Sequence, residues 1–379
     1  MSDRDGELTD RLAAVAERTA ALVPPADSEL ARALAARYFA HVPADDLRER
    51  EPEQLARTVV AHFELARLRE PGVPAVHVWS PAAADGGPQR ASVVDVVTDD
   101  MPFLVDSVRM ELNRRGTVVS LIAHPQVPVT RDRDGLLVDV GAPGAPVESF
   151  LHFEIARLPG PEALAALHRD VLRVLGDIRA AVDDWEAMND RALELVARLE
   201  QDPPPLPKRE VAEGRAFLKW LAADHFTFLG YREYDLITED GVDALRIVEG
   251  RGLGILRGPH GGSRPSASFL ALPTEARRHA RDRDLLLLTK ANSRSTVHRP
   301  VFLDYVGIRR FDADGNVTGE YRFLGLYTSS AYQESPRTIP VIRRKYEYVL
   351  KHAGFTLDSH SGRDLVQTLE TYPRDELFQ

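Results

Sequence analysis

The sequence predicts an α+β protein: N-terminal helices, a βαββαβ module, an antiparallel β-rich module and the start of a further α+β module. Three observations carry this. Apolar residues recur at helical spacing in some stretches and in short β-branched runs in others. Gly, Pro and Asp clusters punctuate those runs. The segment Asp202-Pro203-Pro204-Pro205-Leu206-Pro207, stiff, extended and unable to be helical, divides the chain. With 379 residues and a prior of about 150 per domain, two or three domains are expected.

Leu8, Leu12, Val15, Thr19 and Leu22 mark a first helix, and Leu30, Leu34 and Tyr38 a second, after Pro24-Pro25 with Asp27 or Ser28 as N-cap. A third helix spans about 52–69, with Pro52 in its first turn and Pro71-Gly72 ending it. Residues 1–72 are therefore expected to be helical. The β-branched runs at 76–78 and 93–97 flank a Gly/Pro-rich loop at 82–88, a hairpin signal. Asp99 or Asp100 caps and Pro102 opens a helix carrying Leu104, Val108 and Leu112, and Gly116 closes it. Residues 118–128 are extended, Asp132-Arg133-Asp134-Gly135 is a turn, and 136–140 is a strand. In the strand 150–157, Leu151, Phe153 and Ile155 face one side and His152 and Glu154 the other. A long amphipathic helix covers 161–200, with a small offset near Trp185, so a second domain is expected over 73–200. The proline linker is placed at 201–207.

Beyond the linker, a helix over 208–224 precedes an aromatic strand, 226–236. Short strands at 245–248 and 253–256, a loop at 258–268 and a strand at 285–289 follow. Strands at 301–311 and 320–328 are joined by Asp312-Ala313-Asp314-Gly315-Asn316, a hairpin signal. This gives a β-rich domain over 208–335. Helices at 340–352 and 361–372 belong to a final segment, 336–379, expected to be the truncated beginning of another α+β domain.

The net charge of -10 argues against nucleic acid as the main partner. The absence of cysteine excludes disulfides, thiolate catalysis and Cys-ligated zinc. No run of about 18 apolar residues is present to span a bilayer, and residues 1–7 lack the pattern of a signal peptide. A cytoplasmic protein with no membrane partner is the simplest expectation.

Chemistry-bearing motifs are sparse. Gly250-Arg251-Gly252-Leu253-Gly254 is the nearest approach to a dinucleotide loop, but Arg257 and β-like Ile255-Leu256 follow, which favours a strand corner. Val317 and Phe323 stand where a calcium loop beginning at Asp312 needs Gly and Glu. No metal set is assigned. His152 and Glu154 on one strand face could build a proton-transfer pair or a metal site, with a solvated or interface face as the ordinary alternative. His225 and His298 lie beside strands with no carboxylate partner evident in sequence, and Arg343-Arg344-Lys345 reads as a solvated helix face. The polar stretch 292–299, with Asn292, Arg294 and His298, could bind an anion, with an ordinary loop as the alternative.

The order strand, helix, strand, strand, helix over 91–185 resembles the ferredoxin-like plan of ACT domains. Asp99-Asp100-Met101-Pro102-Phe103-Leu104-Val105 is similar to the ACT effector turn Asp-x-Pro-Gly-Leu-Leu, with Phe103 in place of glycine. That resemblance implies effector binding by Asp99, Asp100, Met101 and Asp106 at a helix start; a structural helix cap is the alternative. Several blocks also resemble the N-terminal region of the large bacterial NAD-specific glutamate dehydrogenases. They include Asp100-Met101-Pro102-Phe103-Leu104-Val105-Asp106-Ser107-Val108, His225-Phe226-Thr227-Phe228-Leu229-Gly230-Tyr231-Arg232, the run from Thr289 to Arg299 and the end from Thr371 to Gln379. The likeness implies a first ACT-like domain, a PAS-like β-rich domain, the beginning of a second ACT-like domain, and a catalytic region elsewhere that binds NAD. It implies no catalytic residue and no cofactor in this chain, and no activity from it alone. It also implies homo-oligomer partners, the enzyme's own catalytic region as a partner, and an amino-acid effector. A ligand-free oligomerisation scaffold is the competing expectation.

Overall fold

A computed structural model describes residues 3–81, 91–239, 242–258, 269–271, 281–356 and 358–378. The expected loops at 82–88 and, beyond Gly258, at 259–268 lie outside the described residues. The fold is α+β, in two compact units, Met1–Gly176 and Asp177–Gln379. The N-terminal helices expected to stand apart over 1–72 belong to the first unit. The division falls within the long helical stretch, not at the proline run.

In the first unit, α1 (Asp3–Leu22), α2 (Ser28–Tyr38), α3 (Ala44–Arg48) and α4 (Pro52–Ala66) precede the sheet. Pro52 sits in the first turn of α4, where its missing N–H leaves no bond unmade. Asp27 occupies the N-cap position of α2 but makes no side-chain cap bond; its carboxylate pairs with Arg67 at 3.1 Å. The strands are β1 (Ala75–Trp79), β2 (Ala91–Asp99), β3 (Val119–Ala123), β4 (Gln126–Arg131), β5 (Leu137–Val140) and β6 (Val147–Ala156). Helix α5 (Leu104–Arg114) lies between β2 and β3, and α6 (Gly160–Asp183) follows β6.

The sheet is antiparallel in the order β1-β2-β6-β4-β5, with β3 also paired to β6. The βαββαβ plan places a strand after its second helix. Among the described residues no strand after α6 joins this sheet, and β1 lies beside β2 at the edge instead. β2 and β6 are buried almost from end to end, because both faces are covered. Val97 and Phe150 join Leu34, Tyr38, Val59 and Phe63 in one core with the N-terminal helices. Val94, Val96, Leu151 and Phe153 point the other way by strand alternation, and α5 and α6 bury Val108, Leu112, Leu167 and Val171.

The second unit holds α7 (Trp185–Gln201) and α8 (Lys208–Trp220). Its strands are β7 (Phe226–Glu239), β8 (Val242–Ile247), β9 (Leu253–Gly254), β10 (Phe269–Ala271), β11 (Leu286–Arg294), β12 (Phe302–Phe311) and β13 (Val317–Tyr327). Their order is β10-β8-β7-β13-β12-β11, with β9 on β7, antiparallel throughout. Met188, Ala192, Leu195 and Leu199 of α7 share a core with Phe217, Phe228, Val306 and Phe323. The apolar stripe read as one helix over 161–200 is thus two helices, broken at Asp184. Both Asp-x-Asp-Gly segments form turns by the same means. Asp132 Oδ1 accepts from the N–H groups of Asp134 and Leu136, and Asp312 Oδ1 from those of Asp314 and Asn316.

From residue 329 onward the described residues form only helices: α9 (Ser329–Gln333), α10 (Ile342–His352), α11 (His360–Thr371) and α12 (Arg374–Leu377). No strand begins there among the described residues, where the sequence reading expected a second ACT-like domain.

Gly254 is a tight point of the second unit. Its φ is +59°, and an added Cβ would lie 2.1 Å from the Leu229 carbonyl oxygen. Gly254→Ala is expected to destabilise the protein by more than about 1 kcal/mol, since the backbone conformation and the space both oppose a side chain. Urea unfolding against the parent protein measures this.

Candidate functional site

The densest assembly of titratable groups is buried in the first unit. Asp95 on β2 lies opposite His152 on β6 in the strand register. His152 Nδ1–H donates to Asp95 Oδ1 at 2.6 Å, and Trp79 Nε1–H donates to Asp95 Oδ2 at 3.0 Å. His62 on α4 donates from Nε2–H to the Val96 carbonyl at 3.0 Å, and its Nδ1 accepts from the Tyr38 hydroxyl at 2.5 Å. Glu154, two residues beyond His152, is 3.7 Å from His152 Nε2 and is held by Arg50. The strand face that could have been solvated is thus closed by the N-terminal helices, with His62, Asp95 and His152 all 2 % exposed or less.

The two histidines move in opposite directions. Burial lowers the His62 pKa to about 4, only partly opposed by the charge of Asp95. Burial also works against the charged form of His152, but the charge and hydrogen bond of Asp95, then Glu154, more than reverse this and raise it to about 9. One ligand atom each from His62, Asp95 and His152 lie within 4.8 Å of one another, the spacing of a metal set. The chemistry favours a hydrogen-bonded network instead. The charge of the His152 imidazolium answers Asp95, Arg50 answers Glu154, and both nitrogens of His62 are engaged. A divalent cation would have to displace the Tyr38 bond and the His152 proton.

The ACT-like turn sits at the end of β2. Phe103 takes the left-handed conformation, φ 72°, as N-cap of α5, and its carbonyl accepts from Ser107 N–H at 3.0 Å. The shape that glycine supplies in the ACT pattern is kept with a bulky residue. No side chain caps α5. Asp99 accepts from Arg69 at 2.6 Å. Asp100 accepts from Gln126 at 2.9 Å and from the Ser149 hydroxyl at 2.6 Å. Met101 is half-buried and Asp106 exposed in the first turn of α5. Arg69 also reaches Glu148 at 2.6 Å, and Arg131 grips the same carboxylate at 2.7 and 2.8 Å. Burial raises the Glu148 pKa, and the hydrogen bonds and charges of Arg131 and Arg69 override that and hold it below the ordinary value.

Asn292, Arg294 and His298 belong to the second unit and do not join the turn residues in one compact unit. Asn292 and Arg294 are exposed. Arg294 donates to the Pro300 carbonyl at 2.9 Å and lies 4.7 Å from the Phe302 ring centre. His298 has a φ of 72°. Thr296 donates to Asp177 at 2.8 Å and Arg299 to the Tyr327 carbonyl at 2.7 Å, so most of this loop's polar groups hold the chain to itself. His225 does have a carboxylate partner. It stacks on Trp220 and stands 3.2 Å from Glu334, more than a hundred residues on. Arg343, read as solvated, is paired with Glu213 at 2.6 Å.

The glycine segment 250–254 does not make a dinucleotide cradle. Gly254 N–H donates to Asp184 at 2.7 Å, and Arg257 grips the same carboxylate at 2.8 and 2.6 Å. No helix begins in the described residues that directly follow it, 255–258. With Gly254 N–H and Arg257 both taken by Asp184, this segment does not fit the pyrophosphate of NAD. No helix among the described residues is long and apolar enough to cross a membrane.

Sequence reasoning missed Tyr38, His62, Asp95, Arg69 and Glu148. The available signal was polar residues interrupting apolar runs, at Asp95 within 93–97 and His62 within the α4 stripe.

Two predictions follow from the charge networks. His152 stabilises the fold fully below pH 6.5 and loses that contribution as pH rises through about 9. His62 contributes above 6.5 and loses it as pH falls through about 4. Urea midpoints across pH 4–9 should therefore fall on both sides of about pH 6.5. His152→Gln should flatten the alkaline limb and His62→Gln the acid limb. Separately, Glu148→Ala leaves the buried Arg131 guanidinium without a carboxylate and Arg69 with Asp99 alone, and is expected to cost about 3–5 kcal/mol of unfolding free energy, readable by the same denaturation.

Comparison with known proteins identifies where such a unit occurs. A glutamate dehydrogenase ACT1 domain model matches residues 34–171, and a glutamate dehydrogenase helical motif 1 model matches residues 339–379. The NAD-specific glutamate dehydrogenase of Halomonas elongata is 37% identical over 352 residues, which is 90% of this chain and 22% of that protein. That of Pseudomonas aeruginosa is 38% identical over 351 residues, 91% of this chain and 22% of that protein. That of Mycobacterium tuberculosis is 29% identical over 328 residues, 84% of this chain and 18% of that protein. The chain thus spans 22% of the length of the first two relatives.

Proposed function

We propose that this chain, which by sequence belongs to the N-terminal region of the NAD-specific glutamate dehydrogenase family, is a cytoplasmic regulatory and assembly segment responding to an amino-acid effector. The observation that carries the proposal is the ACT1 match over 34–171, which coincides with the sheet-and-helix body of the first unit. In this reading the oxidation of glutamate to 2-oxoglutarate and ammonia, with NAD as cofactor, belongs to a catalytic region outside the aligned segment. The chain's partners are that region and further copies of the enzyme. The PAS-like assignment of the β-rich sheet is part of the same proposal. It is supported by an antiparallel order that places β7 and β13 centrally and the hairpin β12–β13 within the sheet.

An effector biases the catalytic region only if its affinity differs between two states of the whole enzyme. The start of α5, uncapped by a side chain, offers backbone N–H groups to a carboxylate, and the exposed Asp106 offers a partner to an ammonium group. A second reading, a ligand-free oligomerisation scaffold, is favoured by Phe103 at the turn and by the donors already on Asp99 and Asp100.

A thermal-shift screen against the common amino acids, 2-oxoglutarate and NAD separates the two. A ligand confined to the folded state raises stability by about 2.7 kcal/mol at a hundredfold excess over its Kd. A shift with at least one amino acid and none with NAD is expected. Silence from every amino acid overturns the effector reading, and light scattering then decides the scaffold, which a monomer would sink.

A further inference from the structure

A cleft of about 360 Å³ opens in the second unit between the end of α7, the proline run and the β12–β13 hairpin. Arg198, near the end of α7, donates from Nη1 to the Tyr321 hydroxyl at 2.5 Å, and its guanidinium carbon lies 5.8 Å from that ring's centre. Among the described residues no carboxylate lies within ion-pair distance of Arg198, in a unit where Arg257, Arg310 and Arg343 each hold one. The Tyr321 hydroxyl accepts from Arg198, which leaves its own proton to donate. Asp202 lines the cleft one helical turn from Arg198. Leu195, Leu199, Pro203 and Phe311 supply apolar walls. The other cleft charges are committed. Arg310 pairs with Asp235, Arg309 donates to the carbonyls of Asp282 and Asp284, and Asp312 closes its own turn.

We infer that this cleft binds a small α-amino acid with an apolar side chain. Its carboxylate meets Arg198 and the Tyr321 hydroxyl, its ammonium meets Asp202, and its side chain lies on the proline and leucine wall. A guanidinium beside a phenolic O–H is a donor pair suited to one carboxylate, and a charge-assisted bond of this kind is stronger than a neutral one. The prolines have a fixed φ, so little ordering of that wall is needed on binding. The inference rests on the effector reading above and moves the site from the ACT-like turn to the second unit.

The test is isothermal titration of the whole chain with L-leucine, and with 4-methyl-2-oxopentanoate, which keeps the carboxylate and side chain but lacks the ammonium. L-leucine is expected to bind the parent protein. Arg198→Ala should weaken it about tenfold or more, and Tyr321→Phe, which removes one oxygen only, should weaken it by less. Asp202→Asn should weaken L-leucine and leave 4-methyl-2-oxopentanoate unchanged. Unaltered L-leucine binding in all three variants, with loss in Asp106→Asn, overturns the cleft and keeps the effector reading at the turn. No binding by L-leucine, with another amino acid shifting the melting curve independently of Arg198, also overturns the cleft alone. Silence from all amino acids in both experiments overturns cleft and effector reading together.

Discussion

Asp95 meets His152 across one register position of two paired strands, and the first unit is organised around that buried pair. A carboxylate removed from water is costly unless it is paired and hydrogen-bonded. The sheet strands supply the anions Asp95, Glu148 and Glu154, and the segments before and around the sheet supply what they need. Tyr38 and His62 come from α2 and α4, Arg50 from the residue before α4's N-cap, and Arg69 from the stretch after α4. The N-terminal helices are therefore not an appendage to an ACT-like sheet. The helical N-terminal segment covers its charged face, and without it Glu154 would lose Arg50 and Glu148 would lose Arg69, while Asp95 would keep only its strand partners, His152 and Trp79. This is why residues expected to form a separate segment over 1–72 fold into the same unit as the sheet.

The same requirement explains which parts of the fold were legible in sequence. Helix starts at Pro52, the two Asp-x-Asp-Gly turns and the hairpin partners of β12 and β13 are local, and local chemistry fixes them. The face of a strand is also local, so His152 and Glu154 were correctly placed together. What lies over that face is not local. Tyr38 and His62 are separated from Asp95 by tens of residues, and nothing in the spacing of any one of them announces the others. The pairing of His225 with Glu334 and of Arg343 with Glu213 is equally distant in the chain. The boundary between units was hidden for a related reason. The proline run is a conspicuous stop, but α7 before it buries its stripe in the second core, and the division falls earlier still, after Gly176 inside α6, where the helical pattern runs on unbroken. Asp184 ends one helix and holds Gly254 and Arg257 with the same carboxylate, a tertiary role that a helical periodicity cannot display.

The turn at 99–103 separates shape from chemistry. Phe103 adopts the left-handed backbone that the ACT pattern assigns to glycine, at a cost for a non-glycine residue of about 1–2 kcal/mol. Strain of that kind persists where the surroundings over-determine the conformation, and here they do. The Phe103 carbonyl is taken by Ser107, Asp99 is held by Arg69, and Asp100 by Gln126 and Ser149. An incoming ammonium group would have to compete with a guanidinium, an amide and a hydroxyl for carboxylates that already bind the turn to the sheet. The turn thus works as a joint between β2, β4, β6 and α5. The cleft of the second unit presents the opposite balance: there Arg198 leans on a phenol and faces no carboxylate within ion-pair distance among the described residues. A structural joint gains from having its charges answered inside the chain. A binding site needs at least one charge whose best partner comes from outside, and by that criterion the second unit is the better place to look for an effector.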